Sequence, residues 1–233
     1  MHMSDVQSNT LKDKTLIASL SHLRTPDTTR VFSRRMKRFF DIAAALLIVV
    51  ICAPLMGLVA LLVKLDGGPV LFSHPRVGYG RRSFPCWKFR TMVVDADKAL
   101  DDLLTKDPVA RETWNTYFKL PNDPRVNWLG RFLRKSSIDE LPQLWNVIRG
   151  DMSLVGPRPV TAQELEFYGT NVADYLHCRP GITGLWQVSG RSELSYADRV
   201  ALDTHYARNW TFLMDIRIIL RTFVVVLYRR GAC

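Results

Sequence analysis

Asp139 and Glu140 are adjacent carboxylates set in a basic stretch that also holds Arg131, Arg134, Lys135, Arg149 and Arg158. Ionised carboxylates among cations can act as a nucleophile or as ligands for a hard divalent metal such as Mg²⁺, and the cations can hold phosphate oxygens. Ser137-Ile138-Asp139-Glu140 also matches a capping box, in which Ser137 is the N-cap and Glu140 reaches back to its backbone N–H. The two readings are compatible, because the start of a helix favours negative charge. Downstream, Arg158 stands between Pro157 and Pro159. Locked φ angles on both sides leave little freedom to lose when its guanidinium engages a phosphate.

Further cations are Lys88 and Arg90 on one face of a strand-like segment, and Arg179 and Arg191 at the ends of a segment that also holds Gly181, Gly184, Trp186, Gln187 and Gly190. Those glycines suit either a close backbone approach to a ligand or tight turns. Arg199, Asp203 and Tyr206 fall at spacings of four and three, hence on one helix face, where an Arg–Asp pair is commonly a surface ion pair. The five histidines are isolated. No H-E-x-x-H, phosphate-binding G-x-x-x-x-G-K-[ST] or Ser-His-Asp order is present, which disfavours zinc proteases, P-loop nucleotidases and hydrolases of the common kind.

The elements that must position these residues follow from the apolar pattern. Ile42 to Val63 carries no charge, and about 20 helical residues cross a bilayer core. Basic residues flank it on both sides: Arg30, Arg34, Arg35, Lys37 and Arg38 before, Lys64, Arg76, Arg81 and Arg82 after. Two basic flanks imply that both ends face the cytoplasm. Pro54, near the middle, removes a backbone donor, so the expected element is a re-entrant helix broken at Pro54 that dips into one leaflet and returns. Residues 1–29 read as a mobile polar tail, 30–65 as basic flank and membrane helix, and 66–233 as a cytosolic catalytic domain. Within that domain, Val70 to Phe72 and Phe84 to Met92 read as strands, with Trp87 and Phe89 sharing one face. Asp95 to Leu104, Pro142 to Ile148 and Glu164 to Tyr175 read as helices, and Trp114 to Asn127, broken by Pro121 and Pro124, as a loop. Leu213, Ile216, Leu220, Phe223 and Leu227 form the apolar stripe of a terminal amphipathic helix, with Arg217 and Arg221 off that face. The fold class is α+β, mostly helical, with a small β element.

Composition agrees. The chain has 233 residues, 47% hydrophobic, which excludes a disordered chain. Its net charge of +10 points to anionic partners: nucleic acid, acidic lipid or phosphorylated small molecules. The four cysteines lie far apart, so neither a disulfide framework nor a thiolate zinc site is suggested.

Together, K-F-R-T-M at Lys88 to Met92, D-P-R-V at Asp123 to Val126, the run from Arg134 to Val147, G-D-M-S-L-V-G-P-R-P at Gly150 to Pro159 and R-P-G-I-T-G-L-W-Q-V-S-G-R at Arg179 to Arg191 resemble the bacterial sugar transferases that act on polyprenyl phosphate, the monotopic phosphoglycosyl transferases. The resemblance covers roughly Arg34 to Gly231. It implies a monotopic inner-membrane enzyme of exopolysaccharide synthesis with its active site on the cytoplasmic face. The donor would be a UDP-sugar, the acceptor undecaprenyl phosphate, and the group moved a hexose-1-phosphate, with galactose favoured. It further implies Asp139 as nucleophile, a phospho-sugar aspartyl intermediate, UMP as leaving group and Glu140 as the Mg²⁺ ligand. Arg134, Arg158, Lys88, Arg90, Arg179 and Arg191 are expected to bind phosphates, and Gln187, Asp203 and Tyr206 to contact nucleotide or sugar. Relatives commonly have Ser-Pro at the helix break, where this chain has Ala53-Pro54; alanine has no hydroxyl to satisfy a freed carbonyl. Membrane lipid is an expected partner, and homo-oligomerisation stays open. The alternatives are a non-catalytic membrane scaffold for polysaccharide assembly, which would not need the carboxylate pair, and a nucleic-acid binder, which lacks any supporting signature.

Overall fold

The computed structural model describes residues 27–117, 120, 123–190 and 194–227, without the side chains of 27–33, 113, 115–117, 226 and 227. In chain order the elements are α1 (Asp27–Lys64), β1 (Leu71–Val77), β2 (Ser83–Phe89), α2 (Ala96–Lys106), α3 (Pro108–Tyr117), α4 (Trp128–Ser136), α5 (Gln143–Arg149), β3 (Ser153–Val155), α6 (Ala162–Glu166), α7 (Val172–Leu176), β4 (Gly181–Thr183), α8 (Tyr196–Asn209) and α9 (Phe212–Leu227). β1 pairs with β2, and β3 runs parallel to β4 with Ser153 opposite Gly181 and Val155 opposite Thr183. The class is therefore α+β and mostly helical. The tail over 1–29 lies outside the described residues as far as position 26, and α1 begins at Asp27.

α1 is long and apolar enough to cross a membrane. Its helical assignment continues through Pro54, so no interruption of secondary structure is observed there. One missing donor, opposite the Val50 carbonyl, is tolerated in an apolar helix. Most of its large side chains stay exposed, Leu47 at 60%, Val50 at 72% and Leu58 at 54% among them. A water-soluble helix would bury such a stripe.

The chain divides into two compact units. The smaller comprises Cys52–Phe72 and Lys88–Pro142. Its core joins Met56, Val59, Ala60 and Val63, a stripe at helical spacing on α1, to Phe89 and to Leu129, Leu133, Ile138 and Leu141 around α4. Arg90, expected on a charged strand face, is buried instead: it pairs with Asp66 and donates to the carbonyls of Pro69 (2.6 Å) and Val63 (3.1 Å). That contact pulls the Asp66 carboxyl below its ordinary range, first through the hydrogen bond from Arg90. Trp114, placed in a loop by the sequence, belongs to α3. Asp107 Oδ1 accepts from the N–H groups of Val109 (2.9 Å) and Ala110 (3.0 Å), and Pro108 takes the first helical position, where its missing donor costs nothing. The prolines at 121 and 124 fall beyond its end.

The larger unit comprises Met1–Ile51, Ser73–Trp87 and Gln143–Cys233. Val77, Val160, Leu165, Tyr168, Tyr175 and Val200 form its core cluster. The helix expected over Glu164 to Tyr175 is two short ones, α6 and α7, joined by a 3-10 turn at Gly169–Asn171. In β2, Phe84, Cys86 and Phe89 are buried and Trp87 is half-buried. In α9 the buried side is Met214, Asp215 and Ile218, and the stripe residues Leu213, Leu220 and Phe223 are exposed. Glycines set the loop geometry here. A Cβ on Gly156 would sit 2.3 Å from the Arg179 carbonyl oxygen, and one on Gly181 2.1 Å from the Gly156 nitrogen. The two glycine-bearing motifs therefore approach each other backbone to backbone.

Candidate functional site

The carboxylate pair is positioned by α4 and the turn that ends it. Asn127 caps α4 by accepting from the Gly130 N–H (2.7 Å). Gly130 lets the helix lie against the Thr91 backbone, since a Cβ would fall 2.0 Å from the Thr91 oxygen. That close approach brings Arg134 to Thr91, where its Nε donates to Oγ1 at 2.9 Å. Ser137 then closes the helix in the left-handed region, φ 58°, with its N–H shared between the Leu133 and Arg134 carbonyls. The expected capping box is absent: the Ser137 side chain makes no cap bond. A residue in that conformation ends the preceding helix. A capping box forms instead at Thr161–Glu164.

The 3-10 turn Ile138–Glu140 follows directly and carries both acids. Asp139 is 6% exposed, and Glu140 is half-buried. Lys88 Nζ lies 2.6 Å from Glu140 Oε1 and 3.7 Å from Asp139 Oδ2. Burial pushes the Asp139 carboxyl up to about 6, the Lys88 charge opposing this and the Glu140 charge adding to it, with Arg134 opposing. Asp139 is thus a poorly hydrated carboxylate, ionised at neutral pH, with two cations beside it. Such a group can attack an electrophilic phosphorus whose oxygens the cations hold.

Of the residues singled out from the sequence, the smaller unit brings together Asp139, Glu140, Lys88 and Arg134. Arg90 belongs to it too but is committed to Asp66 and backbone carbonyls. The others lie in the larger unit, apart from Arg191, which is outside the described residues. Arg158 stacks over Trp186 at 5.8 Å, and Arg199 over the same ring at 4.9 Å. Asp203 is buried and accepts from the Tyr168 hydroxyl (2.7 Å); burial pushes it up to about 8, against the pull of Tyr168 and of Arg158. It forms no ion pair with Arg199 among the described residues. Tyr206 is buried, its hydroxyl 2.7 Å from Asp215 Oδ1 and 3.0 Å from the Val155 oxygen. Gln187 donates to the Ile182 carbonyl (3.1 Å), and Arg179 to that of Gly150 (2.9 Å). Asp203 and Tyr206 therefore have structural tasks inside the larger unit.

Sequence reading passed over a buried polar network in that unit. Lys37 Nζ pairs with Asp215 Oδ2 (2.6 Å) and donates to the Val155 oxygen (3.0 Å), while Trp210 Nε1 donates to Asp215 (3.0 Å). Asp41 accepts from Ser153 Oγ (2.8 Å) and the Leu154 N–H (3.1 Å). The available signal was an acid at the edge of an apolar run, Asp41 before Ile42, and another within an amphipathic helix, Asp215.

A family model described as Bacterial sugar transferase matches residues 32–229. The Undecaprenyl-phosphate galactose phosphotransferase of Salmonella typhimurium is 52% identical over 200 residues, 86% of this chain and 42% of that protein. The Exopolysaccharide production protein ExoY of Sinorhizobium fredii is 50% identical over 197 residues, 84% of this chain and 87% of that protein. The Undecaprenyl-phosphate glucose phosphotransferase of Komagataeibacter xylinus is 44% identical over 208 residues, 84% of this chain and 36% of that protein. The chain thus spans less than half the length of the Salmonella and Komagataeibacter proteins and most of the length of ExoY.

Proposed function

The chain belongs to the bacterial sugar transferase family, and from that premise we propose that it transfers a hexose-1-phosphate, galactose-1-phosphate in the first instance, from a UDP-sugar to undecaprenyl phosphate. The observation that carries this reading is the buried Asp139 with Lys88 and Arg134 beside it. In the first step an Asp139 carboxylate oxygen forms a bond to the β-phosphorus of the donor, and the bond from that phosphorus to the bridging oxygen breaks. The oxygen leaves with the electron pair as UMP, and the sugar phosphate stays on the aspartyl oxygen. In the second step an oxygen of undecaprenyl phosphate bonds to the same phosphorus, and the Asp139 carboxylate departs with its electrons. The products are undecaprenyl-diphospho-sugar and a regenerated enzyme.

Three anions meet in this sequence, so the energetic problem is charge. Lys88, on a strand, and Arg134, held by Thr91, are fixed cations that need little reorganisation as charge gathers on the phosphoryl oxygens. Mg²⁺ suits the donor set, because it is commonly held by one or two carboxylates with substrate phosphates completing its shell. Glu140, with Asp139 adjacent, would hold it, and Lys88 would have to yield Glu140 Oε1. When bound, the ion supplies neutralisation of diphosphate charge.

The location follows from the acceptor. An enzyme using a polyprenyl phosphate must work where the phosphate meets water, and the exposed apolar faces of α1 and α9 suit a protein seated in the cytoplasmic leaflet of the inner membrane. A re-entrant path for α1 is the part of this reading that accounts for both basic flanks.

The test is UMP release by purified protein in nanodiscs given Mg²⁺, undecaprenyl phosphate and UDP-galactose or UDP-glucose in turn. Release that disappears in Asp139→Asn supports the assignment. Release that survives the substitution removes Asp139 as the nucleophile.

A further inference from the structure

A cavity of about 200 Å³ lies within the larger unit, and Arg34, Lys37, Arg38, Arg179 and Arg208 line it with a single carboxylate, Asp41, among the lining residues. Two of these cations are neutralised locally: Lys37 by Asp215 (2.6 Å) and Arg208 by Asp174 (2.8 Å). Of the other three, Arg38 and Arg179 bond backbone carbonyls among the described residues, and Arg38 also feels the charges of Asp41 and Asp151. Arg38 donates to the carbonyls of Val147 (2.7 Å) and Ile148 (3.0 Å), and Arg179 Nε to that of Gly150 (2.9 Å), so the last turn of α5 gathers two guanidinium groups at its carbonyl end. Arg34, Arg38 and Arg179 form no ion pair with a carboxylate among the described residues. Asp41 is already engaged by Ser153 and Leu154. A cavity walled by excess positive charge is stabilised by an anion, and several guanidinium forks suit an anion with several oxygens, a phosphate above all.

Its surroundings point to the source of that phosphate. Arg34, Lys37 and Arg38 stand on α1 just before the uncharged run from Ile42 to Val63. Tyr79 and Trp210 also line the cavity, Tyr79 under Arg179 at 5.7 Å and Trp210 beside Lys37 at 5.8 Å. Two positions after Trp210, α9 starts with Phe212 and Leu213, both exposed. Basic side chains with Trp and Tyr at the mouth of an apolar helix are the chemistry of the headgroup layer.

We propose that this cavity binds the phosphate of an acidic membrane lipid headgroup, with Arg34, Arg38 and Arg179 as its cations. The acidic-lipid source rests on the membrane reading above; the phosphate site itself rests on the lining alone. The lining holds none of Lys88, Arg134, Asp139 or Glu140, but Arg179 and Tyr206, expected from the sequence to contact substrate, belong to it, so the variant that includes Arg179→Gln is read for lipid and phosphate binding alone.

The test is native mass spectrometry of the full chain in detergent, titrated with phosphatidylglycerol and, separately, phosphatidylcholine, with inorganic phosphate as competitor. The expected result is phosphatidylglycerol binding at about tenfold lower concentration than phosphatidylcholine, weakened by millimolar phosphate. The preference falls several-fold in Arg34→Gln, a change at an exposed side chain, and disappears in Arg34→Gln with Arg179→Gln. Equal binding of the two lipids, with phosphate still raising the melting temperature of the parent protein and not of the double variant, would overturn the lipid source and leave a free-phosphate site. Equal binding with no phosphate effect would overturn the site. UMP release measured on the parent protein separates either outcome from a failure of the transferase reading.

Discussion

Asp139 carries two opposed requirements. Its carboxyl is pushed up to about 6 by burial, so the fold prefers it protonated and the reaction needs it ionised. The folded value lies above the ordinary 3.8, so the stabilising contribution is complete below about pH 4 and is lost as pH rises through about 6. Asp139→Asn is therefore expected to melt higher than the parent at pH 7.5, by about 1–2 kcal/mol, while losing UMP release; a thermal melt in detergent checks the first and a coupled UMP assay the second. For the parent, UMP release falls as pH drops through about 6, on the acid limb of the profile. Lys88 is the largest influence opposing the rise, so Lys88→Met moves that limb to higher pH and lowers release at pH 7 by about tenfold or more. A limb that stays in place would mean that Lys88 does not face the reacting carboxylate.

At the scale of elements, legibility depended on whether a signal was local. α1, α2, α5 and α9 are near-continuous in the sequence because apolar periodicity and helix length agree. The acids at 139 and 140 were visible as a pair in a basic stretch, but their conformation was not: the left-handed Ser137 is fixed by how α4 ends against Thr91, a contact across more than forty positions of chain. Arg90 looked solvent-facing for the same reason, since Asp66 and the end of α1 bury it. The Lys37–Asp215 pair joins residues 178 positions apart, beyond any local pattern. It ties α1 to α9 inside the larger unit, with Asp215 only 3% exposed at its side chain. Lys37→Met leaves that carboxylate buried with two neutral donors, and a loss of about 3–5 kcal/mol is expected. Adding Asp215→Leu should recover most of it, which denaturant melts of the single and double variants in detergent would show. A double variant no better than the single one would mean the pair is not the source of the loss.

For the molecule as a whole, composition and charge left nucleic acid, acidic lipid and phosphorylated small molecules open; the uncharged run from Ile42 to Val63 pointed to a membrane, and the exposed faces of α1 and α9 agree with that. The path of α1 follows from neither. A re-entrant path puts Arg35 and Arg76 on the same side of the bilayer. Cysteine placed at each position, in a variant whose native cysteines are replaced by serine, should therefore resist an impermeant maleimide applied to right-side-out spheroplasts and react after permeabilisation. Labelling at one position only, before permeabilisation, would mean a full span. Replacing Leu47, Val50 and Leu58 together by Glu should move the protein out of the membrane pellet, because each charge opposes burial in lipid by about 2–3 kcal/mol.

The most direct test omits the acceptor. Protein in nanodiscs free of undecaprenyl phosphate, mixed with UDP-galactose and Mg²⁺, should release a burst of about one UMP per protein and then stop, with the mass of galactose phosphate appearing on the peptide that contains Asp139. Adding undecaprenyl phosphate should clear that mass and restart release. A protein that releases UMP only when the acceptor is present, and never carries the added mass at Asp139, would contradict the account.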